Sequence, residues 1–376
     1  MTRLSEAPVD SKLSRVNHFF TKQVGAFKQC LMELDAEIDP DAVPQRDDEY
    51  HRRTLHAFQE SQDACRDFEE ENGDDPDLIL DAQQGFRQET DPWFARSWIA
   101  HRARTKPSGF AGDFEMLIKL YDEATPARGL GGYLDLCILE LPLARAVRAR
   151  LAAAREFLMR EIASRKTDIR ILDIACGPCR EFRDWPVSGN GCRVDVVAMD
   201  NDPKALAYVE ENVAKQLAKP TNLEPVRYNA LRTRSASATI RNFGKFDIIY
   251  SVGLCDYLSD EHLVAMLSAW RETLQEGGVL YIAFKDTESY DKTPYQWHLD
   301  WFFFQRTRQD VLNLYEAAGF DIDRVETTRD ATGIIINYVD RLPVGKFSRV
   351  DGAQEVIKPH SGQHAFSPHG TAHIDT

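Results

Sequence analysis

The sequence has no apolar run approaching the roughly 20 residues a helix needs to cross a bilayer. Its first residues, Met1-Thr-Arg-Leu-Ser-Glu-Ala, carry no hydrophobic signal core. It has no basic excess either: 46 Lys and Arg stand against 60 Asp and Glu, for a net charge of −14 and a pI of about 5.2. Replacing the counterions of a nucleic acid takes clustered Lys and Arg, and no such run is present, so no nucleic-acid partner is expected. Cysteine is sparse and odd in number, seven in 376 residues, which suits a reducing cytoplasm better than a disulfide framework. Gly-x-Gly-x-x-Gly and Gly-Lys-Ser/Thr are both missing, which argues against a dinucleotide or a triphosphate ligand. No second cysteine pair or adjacent His completes four zinc ligands around Cys176-Gly-Pro-Cys179. No metal is expected.

What is present is the composition of an ordinary globular chain, 43% hydrophobic and 28% charged, long enough for two domains. Residues 1–165 read as helical. Leu13, Val16, Phe20, Val24, Phe27, Leu31 and Leu34 lay one apolar stripe on a first helix, and Tyr50–Glu71 carries a second amphipathic pattern. Further helices are expected around Pro92–Thr105, Phe114–Glu123 and Leu134–Arg165. Over 166–342 the pattern changes to short β-branched runs alternating with helices. Strands are expected at Ile169–Ile174, Arg193–Met199, Glu224–Tyr228, Phe246–Val252, Gly278–Phe284, Phe320–Glu326 and Gly333–Val339, with helices at Pro203–Leu217, Glu261–Gln275 and Gln309–Ala318. Alternation of this kind implies an α/β fold, a doubly wound parallel sheet covered on both faces. Only a short polar turn separates the last two strands, so they are expected to pair antiparallel. Residues 343–376 are polar and rich in Gly, Ser, His and Pro, and read as a disordered tail whose His360, His364, His369 and His373 lack an apolar shell to hold a metal.

The chemistry concentrates where Ile171-Leu-Asp-Ile runs into the small-residue turn Ala175-Cys176-Gly177-Pro178-Cys179. In a parallel sheet the ligand lies beyond the carboxyl ends of the strands, where small residues let backbone approach it and a helix N-terminus offers free N–H groups. The next apolar run ends in Asp200, followed by Asn201, and a carboxylate there suits the hydroxyl pair of a ribose. The same turn also reads as a redox dithiol, since Cys-x-x-Cys at a helix start lowers thiol pKa. Its setting, after Asp-Ile-Ala and before Asp200, favours the ribose-containing ligand.

Asp173-x-Ala175-x-Gly177-x-Cys179 resembles the Asp/Glu-x-Gly-x-Gly-x-Gly signature of class I S-adenosylmethionine (AdoMet) methyltransferases, with Ala and Cys in place of two glycines. The resemblance implies a Rossmann-like seven-stranded sheet with the last strand antiparallel, and AdoMet as cofactor. It further implies Asp173 near the methionine end, Asp200 on the ribose, and Asn229-Ala230, after the third strand, beside adenine. Three more segments are similar to the bacterial extracellular-factor 3-hydroxypalmitic acid methyl ester biosynthesis family: Lys106–Met116, the stretch Phe246–Leu258 that contains Ser251 and Gly253, and Trp297-His-Leu-Asp-Trp301 with Arg306-Thr307. The likeness covers roughly residues 90–340. It implies an N-terminal helical domain over an AdoMet domain, and methyl transfer to the carboxyl oxygen of a small molecule; an N-, O- or C-methyltransferase of secondary metabolism and a non-catalytic AdoMet-binding protein are the alternatives.

A carboxylate acceptor is already nucleophilic, whereas an amine, phenol or carbon acceptor needs a base. His298 is the expected base, with a structural His as the alternative. Tyr257 is expected to orient the acceptor or face the sulfonium, or else to pack. Arg306 is expected to fork onto an acceptor carboxylate, or else to pair with Asp300. Asp256 and Trp301 are expected at the acceptor. Gly109–Met116, with Phe110, Asp113 and Phe114, is expected to form a lid; alternatively it is an inter-helix turn in which Asp113 caps a helix. The oligomeric state stays open between monomer and homodimer.

Overall fold

Strands covered on both faces bury nearly every side chain, and β1 (Ile169–Ile174) is exposed in part only at Arg170. The computed structural model describes residues 9–185 and 191–343; the tail expected beyond Pro343 lies outside the described residues. The chain opens with helices α1 (Val9–His18) and α2 (Gly25–Glu37), joined through a π-helical turn at Phe19–Val24. Then come α3 (Glu49–Glu71), α4 (Pro76–Phe94), α5 (Trp98–Thr105), α6 (Phe114–Tyr121), α7 (Gly129–Leu139) and α8 (Pro142–Ser164). After β1 the chain alternates through β2 (Val194–Asp200), α9 (Pro203–Asn212), β3 (Thr221–Arg227), α10 (Ala236–Phe243), β4 (Phe246–Ser251) and α11 (Asp260–Thr273). It ends with β5 (Leu274–Lys285), α12 (Arg308–Ala317), β6 (Glu326–Arg329) and β7 (Ile335–Arg341).

The seven strands lie in the order β3-β2-β1-β4-β5-β7-β6, with β7 antiparallel to both neighbours and the other pairs parallel. This is the doubly wound sheet expected. The order reverses between β1 and β4, so the crevice lies beyond their carboxyl ends. Among the described residues no helix is long and apolar enough to cross a membrane.

Several helix boundaries depart from expectation for local reasons. The expected helix Pro92–Thr105 is two helices, because the Ser97 hydroxyl donates to Asp135 (2.6 Å) and accepts from the Ala100 N–H (3.0 Å), starting α5 anew. Leu134–Arg165 is likewise broken, where Pro142 opens α8. Helix α4 begins with Asp75 accepting from Leu78 N–H and Pro76 in the first turn, a start signal present in the sequence but unread. The strand expected at Phe320–Glu326 is displaced to β6, since Asp321 caps a short 3₁₀ turn at Ile322–Arg324.

The helical layer is not sealed off from the sheet. One apolar core contains α1–α8 side chains together with Tyr295, Trp297, Leu299 and Trp301 from the segment after β5. Trp297 sits edge-on to Phe19, Phe68 and Phe86, at centroid distances of 5.4, 5.9 and 5.8 Å. Burying each such phenylalanine contributes about 1.5–3 kcal/mol, so the segment is anchored by packing. That anchoring places the helices over the crevice.

Candidate active site

The turn after β1 takes its shape from three left-handed residues: Ala175 (φ 59°), Gly177 (φ 52°) and Cys179 (φ 48°). These are the three glycine positions of the signature, and the backbone keeps its course although two of them carry side chains. Left-handed backbone costs an L-residue roughly 1–2 kcal/mol, so the fold around the turn must hold it. Cys176 N–H donates to the Met199 carbonyl (3.0 Å), and Gly177 N–H donates to Asp200 Oδ2 (2.9 Å). The other carboxylate oxygen of Asp200 accepts from Asp202 N–H (2.9 Å), while its own carbonyl takes Tyr228 N–H. Asp200 is therefore fixed at the tip of β2, half-buried. Desolvation raises its pKa, and these backbone donors oppose that rise.

Asp173 and the two turn cysteines lie behind this surface. Asp173 is 2% exposed and accepts from Cys179 Sγ (3.3 Å). Burial, and then the neighbouring Glu181, push its pKa up. Burial and Asp173 likewise push both thiols up. A redox dithiol needs the opposite shift, and no disulfide joins any of the seven cysteines. Asp173, Cys179 and Glu181 converge within 4.8 Å, but each is biased toward its protonated form, which a metal would have to displace.

At the other end of the crevice Asn229 is half-buried, and its Oδ1 accepts from Leu231 N–H (2.9 Å). Ala230 is half-buried beside it, and Asn201 is exposed next to Asp200. Ser251 turns its hydroxyl to the Ile174 carbonyl (2.9 Å), so that group ties β4 to β1.

A separate, mostly apolar cavity of about 50 Å³ lies between the helices and the loops after β4 and β5. Leu120, Ile138, Leu143 and Val147 face it from the helices, and Gly253, Tyr257 and Trp301 from the loops. The Tyr257 hydroxyl accepts from Trp301 Nε1–H (2.8 Å). Gly112 fits against both: a Cβ there would lie 2.8 Å from the Tyr257 oxygen and 2.9 Å from Trp301 Cζ2. Asp256 does not face an acceptor, since it pairs with the Lys285 ammonium and accepts Lys285 N–H (3.1 Å). Burial lowers the pKa of Lys285, opposed by Asp256.

The expected lid is a structured cover. Asp113 caps α6 by accepting Met116 N–H (2.9 Å) and pairs with Arg102 (2.7 Å), while Phe110 remains 44% exposed. Phe114 is buried, its ring 6.2 Å from Tyr208 on α9. Leu117 Cδ1 lies 3.5 Å from the place of a Cβ on Gly177, so α6 covers the turn directly. Arg180 latches it there through Asp122 (2.5 Å).

Two expected catalytic residues are placed elsewhere. His298 is fully buried, with Phe58 and Phe86 each at 4.8 Å and Phe94 at 5.9 Å. The Ser61 hydroxyl donates to the Phe58 carbonyl (2.8 Å), leaving its oxygen to accept Nε2–H of a neutral His298 (2.8 Å). The ring belongs to the helical core, outside the cavity lining. Arg306 spends its guanidinium on Asp260 (2.6 and 3.0 Å) and on the Leu258 and Cys255 carbonyls. Its carboxylate partner is Asp260, not Asp300, which pairs with Arg87 and Lys106. Missed altogether were Arg150 and Lys285, both lining the cavity. Arg150 did carry a signal: it interrupts the apolar stripe of α8 that holds Ala146, Ala154 and Phe157.

Residues 171–278 match the family model for a methyltransferase domain. No curated protein matches the chain. Among solved structures, a possible exported protein from Bordetella parapertussis is 17% identical, with 90% of this chain and 100% of that one covered and a TM-score of 0.51, a likeness of fold. Magnesium protoporphyrin IX methyltransferase from Synechocystis with bound AdoMet is 12% identical over 53% of this chain and 83% of that one, with a TM-score of 0.39. The 1,6-didemethyltoxoflavin-N1-methyltransferase of Burkholderia thailandensis is 15% identical over 52% and 79%, with a TM-score of 0.35. Residues 171–278 thus carry the pattern of a methyltransferase domain.

Proposed function

We propose that this chain transfers the methyl group of AdoMet to a carboxyl oxygen of a small molecule held in the cavity beside Gly253. The residues present fit the cofactor. Asp200 presents a fixed carboxylate with lone pairs beyond those taken by Gly177 and Asp202 N–H, suited to ribose hydroxyls. The left-handed turn at Ala175–Gly177 lets backbone come close, and Asn229-Ala230 flank the adenine end. When bound, AdoMet supplies a methyl group on a positively charged sulfur.

The protein's task is then to align the acceptor and keep water out. Helix α6 covers the turn, and Tyr257 and Trp301, locked together by their hydrogen bond, close the cavity against Gly112. The observation that carries the choice of acceptor is the cavity's polar lining: Arg150, Lys285, Tyr257 and Tyr295, with no Asp, Glu or His. An amine, phenol or carbon acceptor would find no carboxylate or imidazole base there, since Lys285 is paired with Asp256 and burial pushes the Tyr257 and Tyr295 phenols up; an ionised carboxylate needs none. At about 50 Å³ the cavity has room for a few waters, so an acceptor enters with movement of the Tyr257–Trp301 pair or of α6.

The test is to incubate the protein with methyl-labelled AdoMet and extract of its source organism, then treat the labelled product with alkali. A methyl ester releases its label as volatile methanol. Label that survives alkali on nitrogen, carbon or an ether oxygen would overturn the carboxyl assignment.

A further inference from the structure

We infer that Arg150 is the carboxylate anchor of the cavity, a buried guanidinium fork left without a protein counter-ion so that it can receive the carboxylate of a bound molecule. The inference rests on the methyl-transfer reading and adds the group that recognises the ligand. Arg150 is 4% exposed and lines the cavity. Its Nη2 and Nη1 reach within 3.6 and 3.9 Å of the place of a Cβ on Gly253, in the loop after β4. Its Nε is buried without a hydrogen-bond partner. Among the described residues no Asp or Glu oxygen lies within 4.0 Å of its nitrogens.

The other buried cations at the site differ in this respect. Lys285 has Asp256 and Arg306 has Asp260. The polar neighbour of Arg150 is the phenol of Tyr121, a neutral group. Glu181 feels its charge, but burial holds that carboxyl toward its protonated form. A charge taken from water without a partner is unfavourable, and a guanidinium presents paired donors that match a planar carboxylate bidentately. The cavity is therefore already charged for an anion, while most of its wall is apolar.

Two molecules could bring that carboxylate: AdoMet, through its methionine end, or the acceptor. Arg150→Met and Arg150→Lys separate them. Four probes are titrated calorimetrically: S-adenosylhomocysteine; methylthioadenosine, which lacks the amino-acid portion; and, in the presence of methylthioadenosine, octanoate and its uncharged counterpart octanamide. If the cofactor carboxylate is held, Arg150→Met weakens S-adenosylhomocysteine roughly ten- to hundred-fold and leaves methylthioadenosine unchanged. If the acceptor carboxylate is held, S-adenosylhomocysteine is unchanged and the preference for octanoate over octanamide is lost. Arg150→Lys keeps the charge without the fork and should fall between. The melting temperature of Arg150→Met should equal or exceed that of the wild type, because an uncompensated buried charge has gone.

Variants that keep the fold and treat every probe as the wild type does overturn the proposal. A wild type that takes up neither adenosine compound instead brings down the methyl-transfer reading, however octanoate divides the proteins.

Discussion

Replacing His298 by Phe should leave the protein folded and remove part of its sensitivity to acid. Burial first, and Arg104 second, push the His298 pKa well below its ordinary value. In the unfolded chain the ring takes up a proton near pH 6.5; in the fold it stays neutral. Below pH 6.5 the unfolded state therefore binds more protons, and stability falls as pH falls until the lowered folded-state pKa is reached. The slope is at most about 1.4 kcal/mol per pH unit, so a drop of 1.5 units costs at most about 2 kcal/mol. Phe cannot take up the proton, and Ser61 keeps its bond to the Phe58 carbonyl (2.8 Å). The larger ring costs about 1–3 kcal/mol at every pH. Asp135, raised to about 6 by burial, acts in the opposite direction between its folded and unfolded values, but it is common to both proteins and cancels in the difference. Urea unfolding near neutrality and about 1.5 units below pH 6.5 should show the wild type losing more stability than the variant, by up to about 2 kcal/mol. Equal losses would refute the buried neutral ring. The variant should also keep methyl transfer within a few-fold; a fall in kcat of about 100-fold or more with an intact fold would restore His298 as a base.

Ala175→Gly should stabilise the protein by about 0.5–1 kcal/mol, the relief of left-handed strain less the added freedom of the unfolded chain; a lowered melting temperature would contradict that. Cys176→Ser combined with Cys179→Ser should retain substantial methyl transfer, because both thiols are buried with raised pKa values. A wild type that reduces disulfides, together with an inactive double variant, would reverse the reading of the turn. Gly112→Ala places a Cβ against Tyr257 and Trp301, and should lower turnover with S-adenosylhomocysteine affinity unchanged; unchanged turnover would remove those two residues from the acceptor cavity.

The turn after β1 was legible because its geometry is local. Strand β1, the small-residue turn and Asp200 lie close in sequence, and each takes its position from its own strand. Even there, only coordinates reveal that Ala175 and Cys179 adopt the glycine conformation. The acceptor half is long-range and was read less well. His298 and Ser61 are 237 residues apart, and nothing near His298 in sequence announces that α3 and α4 supply a phenylalanine cage. Arg306 likewise finds Asp260 across the loop after β4, 46 residues away. Asp113 was legible as a cap because capping is decided within three residues. Arg150 had a visible sign, a charge on an apolar helical stripe, but its lack of a counter-ion depends on how α8 packs against the sheet.

The central claim is that the crevice between β1 and β4 holds an adenosylated cofactor on Asp200. Calorimetric titration of S-adenosylhomocysteine into the wild type and into Asp200→Ala, with melting temperatures taken in parallel, tests it most directly. The account predicts binding by the wild type and a loss of roughly ten-fold or more in the variant, the scale of a charge-assisted hydrogen-bonded pair. Undiminished binding by a folded Asp200→Ala protein, or none by the wild type, would contradict it.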